Sequence, residues 1–328
     1  MATQRPLKDA EETGLWYWFL FDSGLSTLRA KRCLDRWLGR GLSLKEVLDR
    51  LPDQHQHLGL TRDEARKLRP PASRPAIPAL RWNSPHYPDG LRDLALKRRP
   101  ALLFVRGHID LLARPIVALV SGNPDEDEMT MLREVTSVLL GENLLLAALA
   151  DSVQATLLLE EMTYSDGEAL IMATSGLDQY ETTAREARYL AEERLVLMTP
   201  LPPSMAANPG LNPLLQQILS AASTRRILST ASDGYGAGEP QRPTLALTPV
   251  PPVAPESPHL QFTDTASDVL LWVQNPDQDL RSGPLPSRER EESSASPLTP
   301  KQTLNLLEQG GEVPPALRAR LQETEEAH

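Results

Sequence analysis

Between Leu15 and Arg69 the apolar residues recur at helical intervals. Trp16, Phe19 and Leu20 share one face, and Asp22-Ser23-Gly24 interrupts the pattern as a turn with helix-start chemistry. Leu28, Cys33, Leu34 and Trp37 lie near one face of a second helix, Ser26 to Leu38, which Gly39 and Gly41 end. Ser43 and Glu46 have capping-box spacing, so a third helix runs through Leu48. Residues 1–70 read as a helical module, joined to the rest by the prolines between Pro70 and Pro85.

The period then changes. Ile116–Val120 is an unbroken branched and apolar run, as expected of a strand covered on both faces. Met129, Leu132, Val135 and Leu139 follow at helical spacing. Asn143–Leu146, Ala169–Thr174, Leu195–Met198 and Arg226–Ser229 read as further strands. Between them Val153–Met162, Thr183–Arg194 and Asn212–Ala222 read as helices. Strands alternating with helices of about ten residues imply βαβ units and a parallel sheet. The expected fold class is α/β: a Rossmann-like sheet with flanking helices over residues 80–230. The helices before it, around a Gly-centred turn, resemble a helix-hairpin-helix or SAM-like module. Such modules often touch DNA backbone but more often serve as packing units.

Seven prolines among small and polar residues make Ala231–Leu260 a linker, and the linker composition continues to residue 298. Val269–Val273 could form one short strand within it, and Ser282–Pro297 reads as disordered. Residues 299–328 carry Leu304, Leu306, Leu307, Leu317 and Leu321 as a C-terminal helical segment.

Charge is divided unevenly along a chain of net charge −10. Thr61–Ile116 holds twelve Lys/Arg against five Asp/Glu, whereas Pro124–Pro200 holds four against sixteen. Phosphate binding relies on cations, so the acidic block argues against a strong nucleic-acid surface there. Arg62, Arg66, Lys67, Arg69 and Lys97-Arg98-Arg99 are the remaining candidates for phosphate contact, set against a plain solvated basic face. The single cysteine, Cys33, allows no disulfide framework. The six histidines are scattered, and His55-Gln56-His57 has no third ligand in view, so no metal site is expected. No nucleophile elbow, Walker loop or His-Glu-x-x-His occurs, so no catalytic residue and no cofactor is expected. The N-terminus lacks an apolar signal core, and the apolar runs are too interrupted to span a bilayer. A cytoplasmic location without membrane attachment is expected.

Tyr87-Pro88-Asp89-Gly90-Leu91, followed by Pro100-Ala101-Leu102-Leu103-Phe104-Val105-Arg106-Gly107, resembles the entry to the DprA/Smf domain. Ile109-Asp110-Leu111-Leu112-Ala113-Arg114-Pro115 and the strand after it continue the likeness. The resemblance is strong over residues 87–123 and weaker to about residue 230. It implies a non-enzymatic protein that binds single-stranded DNA in natural transformation and recombination. It further implies a homodimer and a RecA-type recombinase as partner.

The binding loops depart from the family pattern. Ser121-Gly122-Asn123 stands where the family carries Gly-Ser-Arg, and Asp125-Glu126-Asp127-Glu128 follows at once. Ala147-Ala148-Leu149-Ala150-Asp151-Ser152-Val153-Gln154 matches Ser-Gly-Leu-Ala-Arg-Gly-Ile-Asp with the arginine replaced by Asp151. Ser175-Gly176-Leu177-Asp178 keeps the look of a third loop, although a βα turn needs glycine for steric reasons alone. Asn208-Pro209-Gly210-Leu211-Asn212-Pro213 matches Phe-Pro-x-Arg-Asn-Arg without either arginine. The candidate DNA- or phosphate-binding residues are thus Ser121, Gly122, Asn123, Asn212, Lys97, Arg98 and Arg99, with DNA binding weakened or lost. Two alternatives stand beside this reading. One is a protein-interaction scaffold that kept the fold without its ligand, and the other a small-nucleotide sensor using Ser121-Gly122-Asn123 and Ser175-Gly176.

Overall fold

A computed structural model of the chain describes residues 5–39, 41–56, 59–70, 78–120, 124–228, 243–247, 260–263 and 265–275. The module opens with α1 (Arg5–Tyr17), which widens into a π turn at Trp18–Asp22. Then come α2 (Thr27–Leu38), α3 (Leu44–Gln54) and α4 (Arg62–Lys67). Their starts are written in the sequence. The Ser26 hydroxyl accepts from the Arg29 amide, and Ser43 with Glu46 forms the expected capping box. Thr61 and Glu64 form another at α4.

The chain then enters β1 (Ala79–Arg81), a strand inside the stretch expected to be only a connector. A short helix α5 (Asp89–Arg92) and the strands β2 (Leu102–Gly107) and β3 (Ile116–Val120) follow. From here strands and helices alternate: α6 (Glu126–Leu140), β4 (Leu145–Leu149), α7 (Val153–Glu161), β5 (Ala169–Met172) and α8 (Ala184–Ala191). The series continues with β6 (Leu195–Thr199), α9 (Asn212–Ala222) and β7 (Arg225–Leu228). The expected Rossmann-like α/β fold is present, and element ends move by a few residues at most positions.

The strands form a nine-stranded sheet in the order β1-β2-β6-β5-β4-β3-β7, extended by β8 (Thr244–Ala246) and β9 (Leu260–Phe262). From β6 to β9 every pairing is parallel, while β2 runs antiparallel to both β6 and β1. β3, β4, β5 and β6 are almost wholly buried, as strands covered on both faces must be. The β6-to-β7 connection crosses the sheet in the direction opposite to the three before it. A right-handed crossover therefore puts α9 on the other face, where it packs with α5 against β3 and β4.

Two expectations for the later chain are corrected. Ala231–Leu260, read as a linker, holds β8 and the first residue of β9, and its other residues fall largely outside those described. Val269–Val273, read as a strand, lies in the helix α10 (Ala266–Gln274). Val269, Trp272 and Val273 are buried at i, i+3 and i+4, with the Thr265 hydroxyl capping the start against the α6 layer. A short apolar run has no period of its own, so packing decided between helix and strand. Ser282–Pro297 and the expected C-terminal helical segment lie outside the described residues. By contacts the chain divides into Met1–Gln278 and Asp279–His328.

Within the first of these units the module packs on the sheet edge. Trp16 meets Trp82 edge to face at 5.7 Å, and Tyr17 meets Phe104 at 6.1 Å. One Glu12 carboxylate oxygen accepts from the Trp16 indole at 3.3 Å and from the Leu44 amide at 3.0 Å.

Candidate nucleic-acid interface

In an open parallel sheet ligands gather beyond the carboxyl ends of the strands, at the point where strand order reverses. Here that point lies between β3 and β7. Ser121, Gly122 and Asn123, the candidates that follow β3, lie outside the described residues.

The residues just after them are described, and they close on themselves. Asp125 caps α6: its carboxylate accepts from the Glu128 amide at 2.8 Å, and Glu128 returns the bond to the Asp125 amide at 2.9 Å. Two of the amides that could receive a phosphate at this helix start, those of Asp125 and Glu128, are thus occupied by the chain's own carboxylates. Glu126 and Asp127 add negative charge to the same turn.

The turn after β4 repeats the pattern. Asp151 sits in left-handed conformation with φ of 62° and accepts from the Thr174 hydroxyl at 2.8 Å. Ser152 caps α7, its hydroxyl accepting from the Ala155 amide at 3.1 Å. The exposed position matched to the family's arginine is therefore a carboxylate held against the turn after β5.

That next turn is occupied as well. Gly176 donates its amide to the Met205 carbonyl at 2.8 Å, and Asp178 donates to Pro203 at 3.0 Å. A Cβ on Gly176 would lie 2.0 Å from the Pro202 oxygen, so close backbone approach demands glycine here. The steric reading of this glycine holds. The Gly176 amide serves internal packing, which removes one donor the nucleotide-sensor alternative required. Tyr180 donates to the buried Glu186 at 2.7 Å, and burial followed by Glu186 raises the phenol far above its usual range.

Asn212 begins α9, and its side-chain oxygen is buried without a hydrogen-bond partner. The 3₁₀ turn before it is set by Asn208, which accepts from the Gly210 amide at 3.0 Å.

The basic candidates stand apart, beside the module. Arg99 is built into the junction: it donates to the Leu94 carbonyl through Nε at 3.2 Å and lies 5.7 Å over the Trp82 ring. Lys31 of α2 donates to the Arg99 carbonyl at 2.6 Å, and burial, then Arg99, lowers its pKa. Arg99 thus positions the loop, while Lys97 and Arg98 remain exposed. Sequence alone gave no sign of this split, because three adjacent cations look alike until one meets a buried ring. A cavity of about 210 Å³ opens beside the Ser23–Ser26 turn, with Lys67 on its wall. Its other cation, Arg29, is tied to the Gly59 carbonyl at 2.6 Å and to Glu64 at 3.4 Å.

Among the described residues no group of three His, Cys, Asp or Glu could hold a metal ion, and no helix is long and apolar enough to cross a membrane.

Sheet order, antiparallel entry strands and N-terminal helices together define a DprA-type Rossmann-like fold. The chain is similar to DNA processing protein A from Streptococcus pneumoniae, with a TM-score of 0.55 at 18% identity over 79% of this chain and 97% of that one. It is also similar to DNA processing protein A from Helicobacter pylori, a structure described for its single-stranded DNA binding mode. There the TM-score is 0.46 at 15% identity, over 60% of this chain and 94% of that one. A molybdenum cofactor carrier protein from Chlamydomonas aligns with a TM-score of 0.34 at 10% identity, over 49% of this chain and 96% of that one. No protein-family profile and no curated protein matches the sequence.

Proposed function

We propose that this chain is a divergent DprA-like DNA-processing protein that holds single-stranded DNA weakly and does no covalent chemistry. The observation that carries the reading is the reciprocal Asp125–Glu128 cap at α6, which takes up two of the amides a phosphate would meet and sets carboxylates beside them. Asp151 adds a second carboxylate on the same rim. Phosphate contact falls to the exposed Lys97 and Arg98 together with the basic face of α4. Roles in natural transformation or recombination, a RecA-type partner, a homodimer and a cytoplasmic location follow from the DprA resemblance and are part of the proposal.

Fluorescence anisotropy with an oligo-dT probe at low and moderate salt tests it. The expected result is weak binding, with a dissociation constant of about 10⁻⁶ M or above at low salt that rises steeply as salt is added. Lys97→Glu with Arg98→Glu should remove it. Nanomolar capture that ignores this pair would overturn the proposal.

The scaffold alternative is favoured by the acidic rim, which suits a protein partner better than a polyanion. Absence of any oligonucleotide binding at low salt with protein up to about 10⁻⁴ M would select it.

A further inference from the structure

The rim carries one more feature, which the DNA reading does not use. Where α1 widens into its π turn, Trp18, Phe19 and Leu20 stay buried while Phe21 comes to the surface at 36% exposure. The ring centroids of Phe21 and the half-buried Tyr17 lie 5.1 Å apart, with the planes tilted by 49°. Both rings rest on Phe104, at 6.5 and 6.1 Å, and Phe104 is buried in β2. The aromatic pair is therefore held from beneath by the core. π turns inside helices recur at functional sites.

Carboxylates flank the pair. Asp22 ends the π turn and is exposed. Arg106 lies two residues beyond Phe104 on the same strand, hence on the same face of the sheet. Its guanidinium donates to the Leu177 carbonyl at 2.6 Å and to the Thr182 hydroxyl at 3.3 Å. That bond holds the turn whose next residue, Asp178, is exposed, with Glu181 exposed three residues on. Burial, then Asp22, then Asp178 raises the Tyr17 hydroxyl above its usual pKa, placing both carboxylates within electrostatic reach of the ring.

Aromatic faces are electron-rich, and a cation over them gains most where carboxylates stand beside it. A phosphate backbone would be repelled by Asp22 and Asp178. An apolar partner would have to strip water from both. Arg106, an exposed cation on this face, is turned toward Leu177 and Thr182 by one bond to each.

We propose that the Tyr17–Phe21 pair and the flanking Asp22 and Asp178 form a docking surface for a Lys/Arg-rich segment of a partner protein. A cationic side chain lies over the rings and pairs with the carboxylates. The surface is independent of weak DNA contact at Lys97 and Arg98, so either reading can fail alone.

The test is titration of the full chain against fluorescein-labelled nona-arginine, with a Gly-Ser peptide of equal length as blank. Three variants are compared: Phe21→Ser, Asp22→Asn with Asp178→Asn, and Glu134→Gln with Asp166→Asn. The last removes the same charge from exposed positions elsewhere. Loss of about tenfold in affinity is expected for each of the first two, against less than about twofold for the third. Circular dichroism confirms that each variant is folded. No binding to nona-arginine, equal weakening by both charge-removing variants, or an unchanged Phe21→Ser variant would each overturn the proposal. So would capture of oligo-dT at this patch, or a dimer of the chain that Phe21→Ser dissociates.

Discussion

The Thr174 hydroxyl donates to the Asp151 carboxylate at 2.8 Å, tying the turn after β5 to the turn after β4. Thr174 is nearly buried and Asp151 is exposed, so the bond spans the boundary between core and rim. It fixes a negative group at the carboxyl end of the sheet.

Replacing Thr174 by Val keeps the shape and removes the donor. The Asp151 carboxylate can turn to water, so the expected cost is about 1 kcal/mol in urea denaturation. A loss of about 3 kcal/mol or more would mean that the pair anchors the sheet rather than the turn.

Gly176→Ala should be far more damaging. The added methyl meets backbone oxygens of Pro202 and Pro203 at 2.0 and 2.3 Å, atoms that cannot move without shifting the loop after β6. A destabilisation above about 2 kcal/mol is expected, read as a lowered Tm.

Glu193 holds φ of 59° just before β6, the left-handed conformation in which a side chain is strained. Glu193→Gly relieves that strain at the end of α8, partly offset by the freedom glycine has when unfolded. Its contact with the His108 imidazole, at 3.9 Å and exposed, is an ion pair only when that ring is protonated and contributes little. A net gain of about 0.5 kcal/mol and a slightly higher Tm should follow.

Glu64 has a pH signature. The Thr61 amide bond is the largest influence and outweighs the opposing effect of burial, and Arg29 and the Thr61 hydroxyl add to it, so the carboxyl is held below the usual 4.5. A carboxyl with a lowered folded pKa stabilises fully above its unfolded value, and loses that contribution as pH falls through the folded one. Denaturation midpoints for the wild type should therefore drop between pH 5 and about pH 3 more steeply than those of Glu64→Gln. Parallel curves would show that the Thr61–Glu64 cap is not titrating.

Candidate residues were legible in unequal measure. Asn212 was located correctly at a helix start because the Pro-and-Asn signal is local, and the Ser43–Glu46 cap was visible for the same reason. Arg99 could not be told from Lys97 and Arg98, since its role depends on Trp82 and Leu94 meeting it in space. Tyr17 and Phe21 stand at i and i+4, neighbours on any helix, but their support from Phe104 and the exposure of Phe21 where the π turn runs over Trp18–Asp22 depend on contacts that no local spacing encodes.

By itself the sequence determined the alternation of strands and helices, the doubly covered strands such as Ile116–Val120, and the placement of caps. Each depends on residues within a turn or two of one another. Only the tertiary structure decided the antiparallel entry of β2, the extension of the sheet by β8 and β9, the helical state of Ala266–Gln274 and the aromatic–acidic patch. These rest on contacts between residues far apart in the chain, where burial against a partner overrides local preference, and no local spacing encodes the partner.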